Sequence, residues 1–190
     1  YLYNDGSAYT VESNTYNMNR SNTARPNIIF NAGGRNRETI TMGTGTGSTN
    51  NMPFNTSSSW HYGHAQALYT AAEIAAAGGH AGYINEIGFQ LNANHTMHFD
   101  GVRVFLTTTT ATEIPGNTAI AMTSSDVEAY NGELDINGTG WYTLTLDTPF
   151  YYDGTSSLVV TTLSHNTNSP SAYTNGWAYH SAGSHMGFYS

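Results

Sequence analysis

Apolar and polar residues alternate with period two along most of the chain, and this restricts its folds more than any other feature. Side chains on a strand point to opposite faces in turn, so such alternation marks half-buried strands. In Tyr83-Ile84-Asn85-Glu86-Ile87-Gly88-Phe89-Gln90-Leu91, the residues Tyr83, Ile87, Phe89 and Leu91 are expected on one face. Val102–Leu106, Trp141–Leu146 and Leu158–Leu163 read the same way, and further strands are expected at Ala119–Met122, Val127–Tyr130, Tyr173–His180 and Met186–Tyr189. Asp147-Thr148-Pro149 and Asp153-Gly154-Thr155 are expected as turns. Strands punctuated about every ten residues predict an all-β antiparallel sandwich or barrel.

Composition agrees. Thr (27), Asn (20), Ser (17) and Gly (20) fill 84 of 190 positions, while Asp, Glu, Lys and Arg together reach 9%. Long helices draw on Ala, Leu, Glu, Lys and Arg, so a helical bundle is excluded. Hydrophobic residues at 38% suffice for one core and are too many for a disordered chain. One short helix is predicted at Thr70–Gly78, where Thr70 and Glu73 form a capping box and Gly78 a stop. At two turns it is expected to be a connector packed across one end of the sheets.

The net charge is −8 and there is no Lys. Phosphate backbones are held by clustered Lys and Arg, so no nucleic-acid partner is expected. No apolar run approaches the roughly 20 residues of a membrane span, so no membrane insertion is expected. The chain begins at Tyr1 and lacks Cys, which fits a mature or excerpted extracellular chain.

Three segments carry a family resemblance: Thr41-Met42-Gly43-Thr44-Gly45-Thr46 with Pro53-Phe54; Gln66-Ala67-Leu68-Tyr69-Thr70-Ala71-Ala72-Glu73-Ile74; and Gly140-Trp141-Tyr142-Thr143-Leu144-Thr145-Leu146-Asp147-Thr148-Pro149-Phe150, followed by Tyr152-Asp153-Gly154 and Leu158-Val159-Val160. Over residues 40 to 190 the chain resembles a repeated module of secreted and surface adhesive proteins of Bacteroidota-type bacteria. The resemblance implies a jelly-roll-like β-sandwich, set in tandem at the bacterial cell surface or outside it, without a catalytic role and with no ligand site to carry over. Read from the residues alone, Trp141, with Leu144 or Tyr142 according to register, is expected to supply core area.

Residues 1–37 differ from the rest. They hold Arg20, Arg25, Arg35 and Arg37 against Asp5 and Glu12, a net +2, whereas residues 38–190 carry −10. A basic N-terminal arm (1–37) thus precedes an acidic sandwich domain (38–190) and either folds back on its own body or reaches another. The order Ser7-Ala8-Tyr9-Thr10, Tyr16, Ile28-Ile29-Phe30 parallels Ser171-Ala172-Tyr173-Thr174, Tyr179, Met186-Gly187-Phe188, as though the arm held strands from the end of a preceding module. Strand addition to other copies or neighbouring domains would then build a filament or tandem array, with Tyr9, Tyr16, Ile28, Ile29 and Phe30 in the acceptor groove.

The competing expectation is a carbohydrate-binding module with a polysaccharide partner. Sugar rings need exposed Trp or Tyr beside neutral hydrogen-bonding groups. Trp60, Tyr62 and His64 share a face if extended, and Asn175, Trp177 and Tyr179 offer a second such strand. No catalytic residues, metal ligands or cofactors are assigned. His61/His64, His95/His98 and His180/His185 match no zinc spacing, while the oxygen-rich Asn131–Asp135 and Asp153-Gly154 leave room for a structural calcium. Glu86, Asp100, Glu128, Glu133 and Asp135 are nominal carboxylates for glycoside hydrolysis, with nothing to pair them.

Overall fold

The computed structural model describes residues 24–32, 38–56, 61–115, 118–166, 176–183 and 186–189. Its strands are β1 (Ala24–Pro26), β2 (Ile28–Ala32), β3 (Thr39–Met42), β4 (Gly47–Thr49), β5 (Tyr62–Tyr69), β6 (Gly82–Leu91), β7 (Thr96–Thr109), β8 (Val127–Asn137), β9 (Gly140–Tyr152), β10 (Ser157–His165), β11 (Trp177–Ser181) and β12 (Gly187–Tyr189). A single helix, α1 (Ala71–Ala76), lies between β5 and β6. One sheet runs β12-β5-β10-β7-β8; the other runs β1-β11-β6-β2-β3, with β9 also on β6 and β4 also on β11. All pairings are antiparallel, and the two sheets pack as an all-β sandwich.

The core lies between the sheets. Phe54 sits at its centre, with ring centroids 5.2 Å from Phe89, 5.8 Å from Phe99 and 5.5 Å from Trp177. Strand β10 is buried on both faces, because the chain covers the outer side of its sheet with Ile114 and Met186 packed on Leu68 and Val159. The stretch 119–122, expected as a strand, has no strand partner among the described residues. Its backbone is held instead by one side chain: Gln66 Nε2 donates to Ile120 O (2.9 Å), and Ile120 N donates to Gln66 Oε1 (2.8 Å).

Helix α1 forms as its capping residues predict. Thr70 N donates to Glu73 Oε2 (2.9 Å), Glu73 N donates to Thr70 Oγ1 (3.3 Å), and Gly78 takes the left-handed φ of +93° that ends the turn. The helix carries the chain from one sheet to the other and buries Ile74. Among the described residues no helix is long and apolar enough to cross a membrane.

Other expectations are corrected. Asp147-Thr148-Pro149 is not a hairpin corner but part of β9. The pairing of β6 and β9 steps from Ile84↔Phe150 to Glu86↔Thr145, so Leu146 to Pro149 bulge opposite Asn85 alone. Asp147 Oδ2 there accepts from Asn131 N of β8 (2.9 Å), which links the sheets at one edge. The same irregularity reverses the facing of β6: Ile84 is buried and Tyr83 is 56% exposed, against the single face expected for Tyr83 and Ile87. On β9, Leu144 and Leu146 point inward, so Trp141 turns outward at 39% exposure rather than entering the core. Asn131–Asp135 is strand, not loop. The expected strand 173–180 is described from Trp177, and Met186-Gly187-Phe188, likened to Ile28–Phe30, lies at the edge of the opposite sheet.

Candidate functional site

The feature that most distinguishes the molecule is the seat of its N-terminal strands. Residues 24–32, assigned by charge to an arm ending at 37, are an integral part of the sheet: β1 pairs with β11, and β2 lies between β6 and β3. This is the fold-back arrangement, made with the chain's own body.

Each residue from 25 to 30 is held by a different device. Arg25 is 2% exposed, and its Nη1 donates to Leu68 O (2.6 Å) and Glu73 Oε2 (3.1 Å) while Nη2 donates to Glu73 Oε1 (2.6 Å). The guanidinium also lies 4.8 Å from the centroid of the Tyr69 ring. Burial alone would raise the Glu73 carboxyl, but hydrogen bonds from Arg25 and Thr70 outweigh it and hold the pKa down at about 2. Pro26 has no N–H to satisfy, and its carbonyl accepts from the buried Tyr69 hydroxyl (2.9 Å). Burial pushes that hydroxyl's pKa up, which keeps it a donor.

Asn27 is completely buried at the point where β1 bends into β2, and all of its polar groups are used. Its N donates to Ala178 O (3.0 Å) and its O accepts from Gln90 N (3.3 Å). Nδ2 donates to Gly45 O (2.7 Å) and Gln90 Oε1 (2.8 Å), and Oδ1 accepts from His180 Nδ1 (3.1 Å). Burial, helped by the Arg25 charge, lowers the His180 pKa to about 4 and keeps the ring neutral. The loop 43–46 closes over this network because Gly43 and Gly45 carry no side chain; a Cβ on the first would overlap the His180 ring and on the second the Tyr179 carbonyl. Ile28 (0% exposed) and Phe30 (4%) then enter the core, Phe30 meeting Tyr69 edge-on at 5.9 Å. Ile29 faces outward over Gly88, where a Cβ would lie 2.7 Å from Ile29 Cγ1.

The other expected site residues do not form one site. Tyr9, Tyr16, Trp60 and Asn175 lie outside the described residues. Tyr62 and His64 do share the outer face of β5, where Tyr62 stacks on His165 (4.6 Å, 27°) and His64 meets Phe188 edge-on (5.5 Å). Trp177 and Tyr179 are in the other sheet. Trp177 is 0% exposed, wedged between Phe54 and Tyr142, so it cannot stack on a ligand; Tyr179 is half-buried over Gly47.

Of the nominal carboxylates, Asp100, Glu133 and Asp135 lie around His98, while Glu86 and Glu128 stand apart. Glu128 accepts from Arg103 Nε (2.7 Å), Asp135 lies 2.8 Å from His98 Nδ1 with Asp100 3.6 Å from its Nε2, and Glu86 is on the opposite sheet. Asp153 Oδ1 accepts from Thr155 N and Ser156 N (2.7 Å each), an ordinary turn clasp. Among the described residues no group of three or more His, Cys, Asp or Glu is arranged to hold a metal ion. Three aromatics point outward: Trp141, expected in the core, Tyr83, expected on the face of Ile87, and Tyr151, for which the sequence raised no expectation. For Trp141 a signal existed: Leu144 and Leu146 outweigh one Trp in choosing the inward face.

No family model, curated protein or solved structure matches the chain.

Proposed function

We propose that the chain is a non-catalytic structural or adhesive module of the bacterial cell surface or extracellular space, joined to other copies or to neighbouring modules by exchange of its N-terminal strands. The observation that carries this reading is the seat of Arg25–Phe30. The segment is bound as a peptide ligand would be, by buried side-chain contacts to Leu68, Glu73, Gln90 and His180, residues 43 to 153 positions away. Backbone pairing supplies affinity in strand addition, while side-chain pockets supply specificity. The same groove accepts the same segment from another copy, and head-to-tail exchange of this kind gives an open chain of subunits. The −8 charge without Lys supports a role away from nucleic acid, and the absence of Cys supports an extracellular place.

The test is to unfold and refold the full chain over a range of concentrations and measure its mass by light scattering. Multimers that grow with concentration, and that an excess of free peptide 24–32 caps at smaller sizes, are expected. A monomer at every concentration contradicts the proposal.

A further inference from the structure

We infer that the outer face of the sheet formed by β9, β6, β2 and β3 is a binding platform for a neutral polysaccharide, independent of strand exchange. The two outer faces of the sandwich differ. One is largely covered by the chain itself, with Ile114, Ile120 and Met186 packed over β5 and β10 and Tyr62 left exposed at the start of β5. On the other, Trp141, Tyr83 and Tyr151 remain 39%, 56% and 56% exposed.

Register places these aromatics at the two ends of one face. Trp141 pairs with Gln90, and Tyr151 pairs with Tyr83, their rings meeting edge-on at 5.2 Å. The two pairs lie seven positions apart along β6, about 23 Å at the strand rise. That length suits an oligosaccharide chain and exceeds a single sugar. Between the ends the face is low: Gly88 has no side chain, and Ile29 lies across it. Thr143 and Thr145 on β9, and Thr41 on β3, stand exposed beside this floor.

The chemistry selects the ligand. A pyranose offers an apolar C–H face to an aromatic ring and a rim of hydroxyls to neutral donors and acceptors, and this face presents both. Among the described residues of these strands the charged ones are Glu86, whose Oε2 already accepts from Asn31 Nδ2 (2.9 Å), and Asp147, whose Oδ2 accepts from Asn131 N of β8 (2.9 Å). Both are acidic, which disfavours a polyanion on these strands.

The intact chain is run through native gels containing hydroxyethyl cellulose, xyloglucan, mixed-linkage β-glucan, arabinoxylan, galactomannan or a soluble α-glucan, with polygalacturonate as the anionic control. Retardation by at least one neutral polysaccharide is expected, weakened about tenfold by Trp141→Ala or Tyr151→Ala and abolished by both. Tyr62→Ala, an exposed aromatic on the other sheet, leaves it unchanged. The inference is overturned if no neutral polysaccharide retards the chain, if polygalacturonate alone does, or if the double variant is retarded like the parent. It is also overturned if Trp141→Ala changes only the mass in light scattering, which would make the face a contact between copies.

Discussion

Arg25 and Glu73 meet fork to fork beneath the helix that joins the two sheets, with Nη2–Oε1 at 2.6 Å and Nη1–Oε2 at 3.1 Å. Glu73 is also the acid of the helix capping box. One carboxylate therefore starts α1 and secures the N-terminal strand, so the basic segment is tied to the acidic body by a specific, part-buried contact.

Breaking this pair costs more than losing a surface ion pair, because the Arg25 side chain is 3% exposed while Glu73 is 37% exposed. Glu73→Gln is expected to destabilise the fold by about 2 kcal/mol, below the usual range for a fully buried pair. Arg25→Met should cost a similar amount, and the double variant less than the sum. Urea denaturation of the four proteins checks this; additive losses would mean that the two residues act separately.

Stability should fall with acid in two stages. Burial holds the pKa values of His64 and His180 down near 4, from an ordinary 6.5. The unfolded chain therefore binds more protons than the folded one between those values, and their contribution is lost as pH falls from 6.5 to 4. Glu73, at about 2 in place of 4.5, extends the loss from pH 4.5 towards 2. Denaturation midpoints at pH 7.5, 5 and 3 should decrease in that order, and His180→Gln should flatten part of the first stage. A midpoint unchanged from pH 7 to 4 contradicts the assignment.

The loop over Asn27 has no room for a side chain at Gly43 or Gly45. Gly45→Ala would push the loop from the Tyr179 carbonyl and weaken the Asn27 Nδ2 bond to Gly45 O. A loss of about 1–3 kcal/mol is expected. Asn27→Ala, which strands the Gln90 and His180 groups, should cost about 2–4 kcal/mol. Thermal melts with tryptophan emission measure both; a midpoint shift below one degree for Asn27→Ala would contradict the network.

Trp177→Ala should act on stability and not on ligand binding. Its ring is fully enclosed by the core, so removal is expected to cost about 3–5 kcal/mol. The readout is the urea midpoint, and a variant as stable as the parent would place Trp177 outside the core.

Much of the fold was legible because its signals are local. The alternation in Trp141–Leu146, the Thr70/Glu73 capping box and the Leu158–Leu163 run each depend on residues within one element. What escaped the sequence depended on partners far away. The facing of Tyr83 is reversed by a bulge that exists only where β6 meets β9. The segment at Ile120 is apolar enough for a strand, yet a single Gln66 side chain takes the place of a strand partner. Trp177 has the composition of a sugar-stacking residue, and only the meeting of Phe54 and Tyr142 around it shows that it is core. The charge asymmetry marked residues 1–37 as distinct, but it could not show that residues 24–32 sit inside the sheet.

If the N-terminal strands occupy a groove that another copy can fill, a cross-link between that segment and the groove will join copies. Asn31 and Glu86 are registered neighbours across β2 and β6, and the chain has no Cys of its own. A variant carrying Asn31→Cys and Glu86→Cys can therefore be refolded over a range of concentrations, oxidised and run on a non-reducing gel. A ladder of covalent multimers that lengthens with concentration is expected beside the internally closed monomer. A closed monomer alone at every concentration would contradict it.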